Sequence, residues 1–435
     1  MSFQQGLSGL NSSSKSLEVI GNNVANANTV GAKTSRAEFA DMYASAMTGG
    51  GNNVGIGVRV AAVTQQFSQG GTTTTASALD LAINGSGFFE VKGSDGQTLY
   101  TRAGEFQINK EGFIQNSTGQ KLLGYPADAT GTIQPGQPGP LQLPTAGIDP
   151  RATATASMEV NLDSREAAKV VGSPAVVASD ATTYNRATSV TTYDAKGQDV
   201  AVTYYFQKTA TDTWDIYATA NGKALDDATS AVPTRVATVN YPSNGGNPVA
   251  ANGGSIDYYL GGGGNSTNGK ITLDIGASTN AAGAATLPIS GIQLDLSGAT
   301  QYGSSFGVTN QKQDGYAPGQ LADLSIEKTG VVMATYSNGQ SKPAGQIEMA
   351  NFRNPQGLKP MGGNTWARTF ESGDPIVGTP GQGNLGALQS GALEESNVDL
   401  TGELVNMITA QRIYQANAQT IKTQDQVLQT LVNLR

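Results

Sequence analysis

Helical periodicity is confined to the two ends of this chain, and that confinement limits its fold more than any other feature. Near the N-terminus Phe3, Leu7, Leu10, Ser14, Leu17, Gly21, Val24 and Asn28 recur in alternating steps of four and three residues, the spacing of a helix with a narrow packing seam. At the C-terminus Leu400, Leu404, Met407, Gln411, Tyr414, Ala418, Ile421, Asp425, Leu428 and Val432 repeat that spacing, and Ser396 with Asp399 has the Ser-x-x-Asp form of a capping box ahead of them. Seams this narrow and polar need a partner. Each end is the only comparable helix open to the other, so the ends should pair with each other or with neighbouring molecules.

Between the ends the period changes to two. Leu79, Leu81 and Ile83 alternate with other residues, Gly85 and Gly87 interrupt, and Phe88-Phe89-Glu90-Val91 begins a second strand. Asp95-Gly96, Lys110-Glu111-Gly112 and Ser117-Thr118-Gly119 read as turns, and the Pro/Gly-rich stretch from Pro135 to Pro150 as a boundary. Beyond it Val200, Val202, Tyr204 and Phe206 share a strand face, Trp214, Ile216 and Ala218 form the next strand, and Asp194-Ala195-Lys196-Gly197 is a hairpin turn before them. From Asn221 to Gly291, with Gly261-Gly262-Gly263-Gly264 at its weakest, long loops are expected. Strand patterning returns at Leu324-Ser325-Ile326, Val331 to Tyr336 and Ile347 to Phe352. The fold class expected is therefore multidomain: mainly β domains, with long terminal α-helices packed in a coiled-coil-like domain. The chain goes out and comes back, so the inner domains draw on two distant segments.

Composition excludes most chemistry. With no Cys and no His among 435 residues there is no thiolate nucleophile, no Ser-His-Asp triad, no disulfide and no ordinary zinc site. Carboxylate-pair hydrolysis, lysine chemistry and carboxylate-bound Mg²⁺ or Ca²⁺ survive, but the carboxylates are scattered, and Glu394-Glu395 reads as a solvated pair before a helix. Gly55-Ile56-Gly57 and Gly85-Ser86-Gly87 do not complete a phosphate-binding loop, and Asp194 to Asp199 lacks the full calcium-loop pattern. No catalytic, cofactor-binding or metal-binding residue is assigned, and the chain is not expected to be an enzyme. Its net charge of -8 and lack of a basic stripe argue against nucleic acid. No apolar window long enough for a membrane span occurs. Nor does the start read as a secretory signal, since its longest apolar run, Leu17-Glu18-Val19-Ile20, is broken by a charge.

Local motifs at the two ends carry more information. Ser8-Gly9-Leu10 followed by Ile20-Gly21-Asn22-Asn23-Val24-Ala25-Asn26-Ala27-Asn28-Thr29-Val30-Gly31-Ala32-Lys33 resembles the N-terminal signature of bacterial flagellar axial proteins, the rod, hook and hook-associated family. Val30 to Ala32 depart slightly from its usual wording. Leu393-Glu394, Ser396-Asn397-Val398-Asp399-Leu400, Glu403 to Ile408 and Gln411-Arg412-Ile413-Tyr414-Gln415-Ala416-Asn417 are similar to the matching C-terminal signature. The signature residues are Asn22, Asn23, Ala25, Asn26, Asn28, Gly31, Asn397, Val398, Gln411 and Tyr414. Asn84-Gly85-Ser86-Gly87-Phe88-Phe89, Tyr100-Thr101-Arg102-Ala103-Gly104 and Tyr336-Ser337-Asn338-Gly339-Gln340 resemble the family's inner β-domain. Rod members lack a large outer insertion, so the stretch between Pro150 and Tyr302 points to the hook branch.

The resemblance implies a self-assembling tube outside the cell that joins rod to filament as a universal joint, exported without a cleavable signal through the flagellar type III apparatus. It implies as partners further copies of the chain in a helical homopolymer, the distal rod protein, the hook cap protein and the hook-filament junction proteins. The division expected is 1–70 plus 371–435 as a terminal helical domain forming the inner tube, with a linker over 29–75; 76–147 plus 303–370 as an inner β-domain; and 148–302 as an outer β-domain. Leu7, Leu10, Leu17, Val24, Leu404, Met407, Ile421 and Leu428 are the expected subunit-interface residues. Other readings are a different axial protein (distal rod or hook-associated), a secreted β-rich adhesin, or a carboxylate-dependent muralytic enzyme.

Overall fold

The N-terminal helix, α1, runs Ser2–Ala25, and the C-terminal helix, α2, runs Leu400–Asn433 for 34 residues, about 51 Å at 1.5 Å per residue. The computed structural model describes residues 2–42, 57–128, 130–144, 146–169, 172, 175–260, 263–266 and 268–433. Asp399 alone caps α2: its Oδ1 accepts the Thr401 N–H at 3.1 Å, while the Ser396 hydroxyl turns to the Val398 N–H instead of completing the expected capping box.

α1 and α2 pack on each other along a stripe displaced by one residue from the expected seam. Gly6, Ser13, Ile20 and Asn23 are buried, whereas Leu7 and Ser14 are exposed and Leu10, Leu17, Gly21 and Val24 half-buried. On α2, Ala410 is buried and Asn417 and Ile421 half-buried, while Leu404 and Leu428 lie exposed. The reason is closeness. A Cβ added to Gly9 would stand 2.7 Å from Asn417 Nδ2, and one on Gly6 would stand 3.1 Å from Ile421 Cγ1. Small residues let the helices approach, and the larger apolar side chains are turned outward. Hydroxyls inside α1 satisfy themselves on the preceding turn, as Ser12 and Ser13 do on the Gly9 carbonyl at 2.9 and 2.8 Å.

The stretch expected to be a linker is instead an antiparallel hairpin beside α1. Its strands are β1, Ser35–Met42, and β2, Gly57–Gln65, with a bulge between Glu38 and Phe39. Residues 43–56, which include the Gly55-Ile56 pair, lie outside the described residues, as do Leu434 and part of the Gly261 to Gly264 run. Val58 and Val60 alternate, but the step of three to Val63, at the bulge, breaks the period in the sequence.

Two compact units result: 1–145, 322–335 and 341–435 form one, and 146–321 with 336–340 the other. The terminal helices thus belong to the same unit as the inner β-domain rather than to a third. In that unit short strands run from Leu321–Ile326 through Val331–Tyr336, Ser341–Ile347, Lys121–Pro126, Phe88–Lys92 and Thr98–Thr101 to Thr365–Ala367 and Lys359–Gly362, antiparallel from Val331–Tyr336 onward. Leu81, Ile83, Phe89, Val91, Leu122, Val332 and Ile347 fill its core. The expected turns fall at Gly96, Gly112 and Gly119, all with left-handed φ near 80°.

The other unit has a core of its own, lined by Val200, Val202, Tyr204, Phe206, Trp214, Ile216 and Ala218 from the expected strands, all buried. Asp194 forms the hairpin turn, its Oδ1 accepting the Lys196 and Gln198 N–H groups at 2.8 Å. The segment from Asn221 to Gly291 is not loop: it contributes Thr234–Asn240, Ser255–Tyr258, Gly264–Ser266 and Lys270–Ile275. Ile271, Leu273 and Ile275 alternate inward there, a short period-two signal diluted by the surrounding Gly and Asn.

Candidate functional site: the buried junction and the exposed helix faces

The signature residues Asn23, Asn26, Gly31 and Asn397 converge where α1 ends, α2 begins and the β-sheet of the first unit starts, while Gln411 and Tyr414 lie further along α2. α1 stops at Ala25, and the turn that follows is held by the Asn26 side chain, which donates to the Asn22 carbonyl at 2.9 Å. Asn23, buried, acts as a β-strand edge: its Nδ2 donates to the Ser35 carbonyl at 2.8 Å and its Oδ1 accepts the Ser35 N–H at 2.9 Å. The same Nδ2 reaches Glu403 of α2 at 3.3 Å, so one amide ties α1, the hairpin and α2 together.

Asn397 does the corresponding work from the other end of the chain. Its Oδ1 accepts from the Thr34 N–H at 2.7 Å, and its Nδ2 donates to the Gln66 carbonyl at 2.8 Å and the Ser68 carbonyl at 3.1 Å. Gly31 lies between them with φ 70°, and its N–H donates to the Glu394 carbonyl at 2.8 Å. A Cβ there would stand 2.5 Å from the Ala103 nitrogen. Gly31→Ala should therefore lower stability by about 2 to 3 kcal/mol, measured by denaturant unfolding; an unchanged midpoint would contradict this packing.

At the centre is a group that the sequence reading misassigned. Glu394 is not a solvated residue beside Glu395 but fully buried, with both carboxylate oxygens engaged. Oε1 takes the Lys33 ammonium at 2.5 Å and the Gly70 N–H at 3.0 Å, and Oε2 takes Arg102 Nη1 at 3.0 Å. Lys33 donates further to the Ser68 carbonyl at 2.8 Å, and Arg102 to the Gly85 carbonyl at 2.9 Å, with its guanidinium 5.4 Å from the centre of the Phe88 ring. Burial, outweighing the pull of Glu394, holds both cations below their usual pKa. The signal available in the sequence was positional: Lys33, Arg102 and Glu394 each sit inside a motif in a chain with only 14% charged residues.

Aromatic packing completes the junction. Phe67, Phe88, Phe352 and Trp366 meet edge to face, with centroids 5.3 to 6.0 Å apart. The Trp366 indole N–H donates to Gln65 Oε1 at the end of β2.

Of the remaining expected residues, Ile421 lies in the intrachain helix contact, while Leu10, Leu17, Val24 and Met407 are half-buried beside it. Leu7, Leu404, Gln411, Tyr414 and Leu428 are exposed. Leu400, Val405, Ile408, Ile413 and Val427 join them as exposed apolar side chains of α2, and Phe39, Met42, Val60 and Val63 do so on the hairpin. Of these, periodicity read on a single face pointed only to Leu400. Isolated exposed leucines are ordinary, but these apolar side chains recur along one long helix.

Family models agree with this architecture segment by segment. Residues 3–33 match the flagella basal body rod protein model, 82–163 the flagellar hook protein FlgE/F/G D1 domain, 161–316 the flagellar basal body protein FlaE D2 domain, and 389–434 the flagellar basal body rod FlgEFG protein C-terminal model. These place the chain among the flagellar axial proteins. It is 43% identical over 437 residues to the flagellar hook protein FlgE of Salmonella typhimurium, covering all of both chains, and 40% identical over 443 residues to that of Escherichia coli K12, again over full lengths. The chain belongs to the flagellar hook protein family. The crystal structure of Helicobacter pylori flagellar hook protein FlgE2 shares its fold, with a TM-score of 0.51 at 14% identity over 73% of this chain and 99% of that one.

Proposed function

We propose that this chain is the structural subunit of the flagellar hook, a tubular polymer in which α1 and α2 of each copy line the inner wall and the two β-rich units face outward. The observation that carries the reading is the division of α2 into two faces. One packs on α1 through Ala410, Asn417 and Ile421, and the other carries Leu404, Val405 and Ile408, which no described residue buries. Burying a Leu side chain is worth about 1.5–3 kcal/mol, so repeating such contacts along two helices in every copy supplies a large drive to assemble.

The buried junction suits a torque-bearing subunit. A charge pair with one partner missing is costly to leave in the interior, so the Glu394 cluster gives the helices and the inner sheet one fixed arrangement. Bending is assigned to the outer unit, whose contacts between copies would slip among near-equivalent positions. Export through the flagellar type III apparatus, and attachment to the distal rod, the hook cap and the hook-filament junction proteins, complete the proposed role.

Electron microscopy of the purified, polymerised protein should show curved tubes. Replacing residues 146–321 with a short Gly-Ser linker should leave tubes that form but are straight, because the helices and inner sheet keep their own core while the contacts that select among sliding states are gone. Curved tubes from that deletion would move the origin of curvature to the inner unit, and absence of any tube from the intact protein would remove the reading altogether.

A further inference from the structure

The sheet of the first unit encloses two glutamates that no ion pair accounts for. Glu90 lies in Phe88–Lys92, and Glu348 directly precedes Met349–Asn351. Those strands are antiparallel, with Met349 against Phe89 and Ala350 against Phe88, a register that carries Glu348 to the place across from Glu90. Glu90 is 4% exposed and Glu348 0%. The Tyr125 hydroxyl donates to Glu348 Oε1 at 2.9 Å, while Glu348 Oε2 and Glu90 Oε1 meet no hydrogen-bond partner.

The titratable and charged groups that bear on the pair are few. Tyr100 stands opposite Glu90 in the next strand, Thr98–Thr101, and Tyr125 comes from Lys121–Pro126. Arg368 and Asp374 bear on Tyr100 rather than directly on the pair, and their exposed side chains hold each other at 2.7 Å. Among the described residues no cation lies within ion-pair distance of either carboxyl. Two neighbouring buried carboxylates without a cation cannot both stay charged. A proton makes one of them a donor and leaves the other an acceptor, which answers the need of both unpartnered oxygens.

We propose that Glu90 and Glu348 share one proton that is still partly held at neutral pH and that locks the strand pair, so that raising the pH through neutrality loosens the sheet. Burial, reinforced by the charge of Glu348, pushes the Glu90 carboxyl up to about 7 from an ordinary 4.5, and burial raises Glu348 against the lowering effect of the Tyr125 hydroxyl. An acid raised in this way binds more protons folded than unfolded. Its contribution is therefore fully present at low pH and is lost as the pH climbs from about 4.5 through about 7.

The infrared spectrum of the full-length, unaltered monomer at neutral pH should contain the carbonyl stretch of a protonated carboxyl group, absent from the Glu90→Gln/Glu348→Gln double variant. The thermal midpoint of the unaltered protein should fall by on the order of 5 °C between about pH 5 and about pH 8, and that of the double variant by less than half as much. A spectrum with ionised carboxylates alone overturns the proposal. So does a midpoint at neutral pH that a chelator lowers, which would mark a bound divalent cation in place of the proton. The spectrum needs only the unaltered protein, so a variant that fails to fold does not remove the test.

Discussion

Glu394→Ala should cost the folded chain about 3–5 kcal/mol. The substitution leaves the Lys33 ammonium and the Arg102 guanidinium buried together with no counter-charge, and it also strips the Gly70 N–H of its acceptor. Water cannot reach them, since the Lys33 and Arg102 side chains are 0% and 3% exposed. Denaturant unfolding of the monomer should show the loss, and protease should cut more readily next to Gly31 and Asn397, which the cluster anchors. Replacing all three charged residues by Met should recover much of the stability, because the penalty lies in the unpaired charge rather than in the absence of the pair. A Glu394→Ala protein within 1 kcal/mol of the parent would show that the cluster does not hold the junction.

Leu404→Asp should abolish tube formation while leaving the monomer intact. Leu404 is 45% exposed in the isolated chain, so a carboxylate there stays hydrated and stability should change by no more than about 0.5 kcal/mol. In a polymer that buries this face, the same carboxylate would be desolvated without a partner in every copy, a cost of several kcal/mol per contact. Ile421→Asp is the instructive contrast. Its side chain lies against Gly6 of α1, so it should weaken the helix pair within the monomer before assembly begins. Sedimentation and thermal unfolding of the two monomers, followed by electron microscopy, separate the outcomes. Normal tubes from Leu404→Asp would place that side chain on a solvent face of the polymer.

The sequence disclosed the helical ends, the turns and most strands because each has a local cause. Gly96, Gly112 and Gly119 read as turns for the left-handed backbone they adopt, and Val200 to Phe206 read as a strand because one face is wholly apolar. What it concealed depends on partners far along the chain. Lys33 and Glu394 are 361 residues apart, and nothing in the pair Glu394-Glu395 tells which carboxylate turns inward. Which helical stripe would pack was hidden for a similar reason: periodicity singles out the largest apolar side chains, whereas close approach selects Gly6, Gly9 and Ser13. The hairpin of β1 and β2 was obscured because its faces are largely exposed, so its Val residues do not alternate with a buried set.

The lack of native cysteine allows a direct test of the central claim, that the outward face of α2 is covered by other copies on assembly. A Leu404→Cys protein carries a single thiol on that face, small and apolar enough to leave packing largely undisturbed. Its rate of alkylation by a maleimide should be that of an exposed thiol in the monomer, and at least about tenfold slower in the polymer, where access requires an opening of the contact worth about 1.4 kcal/mol or more. Equal rates in monomer and polymer would mean that the face remains open to solvent in the tube, and would contradict the account.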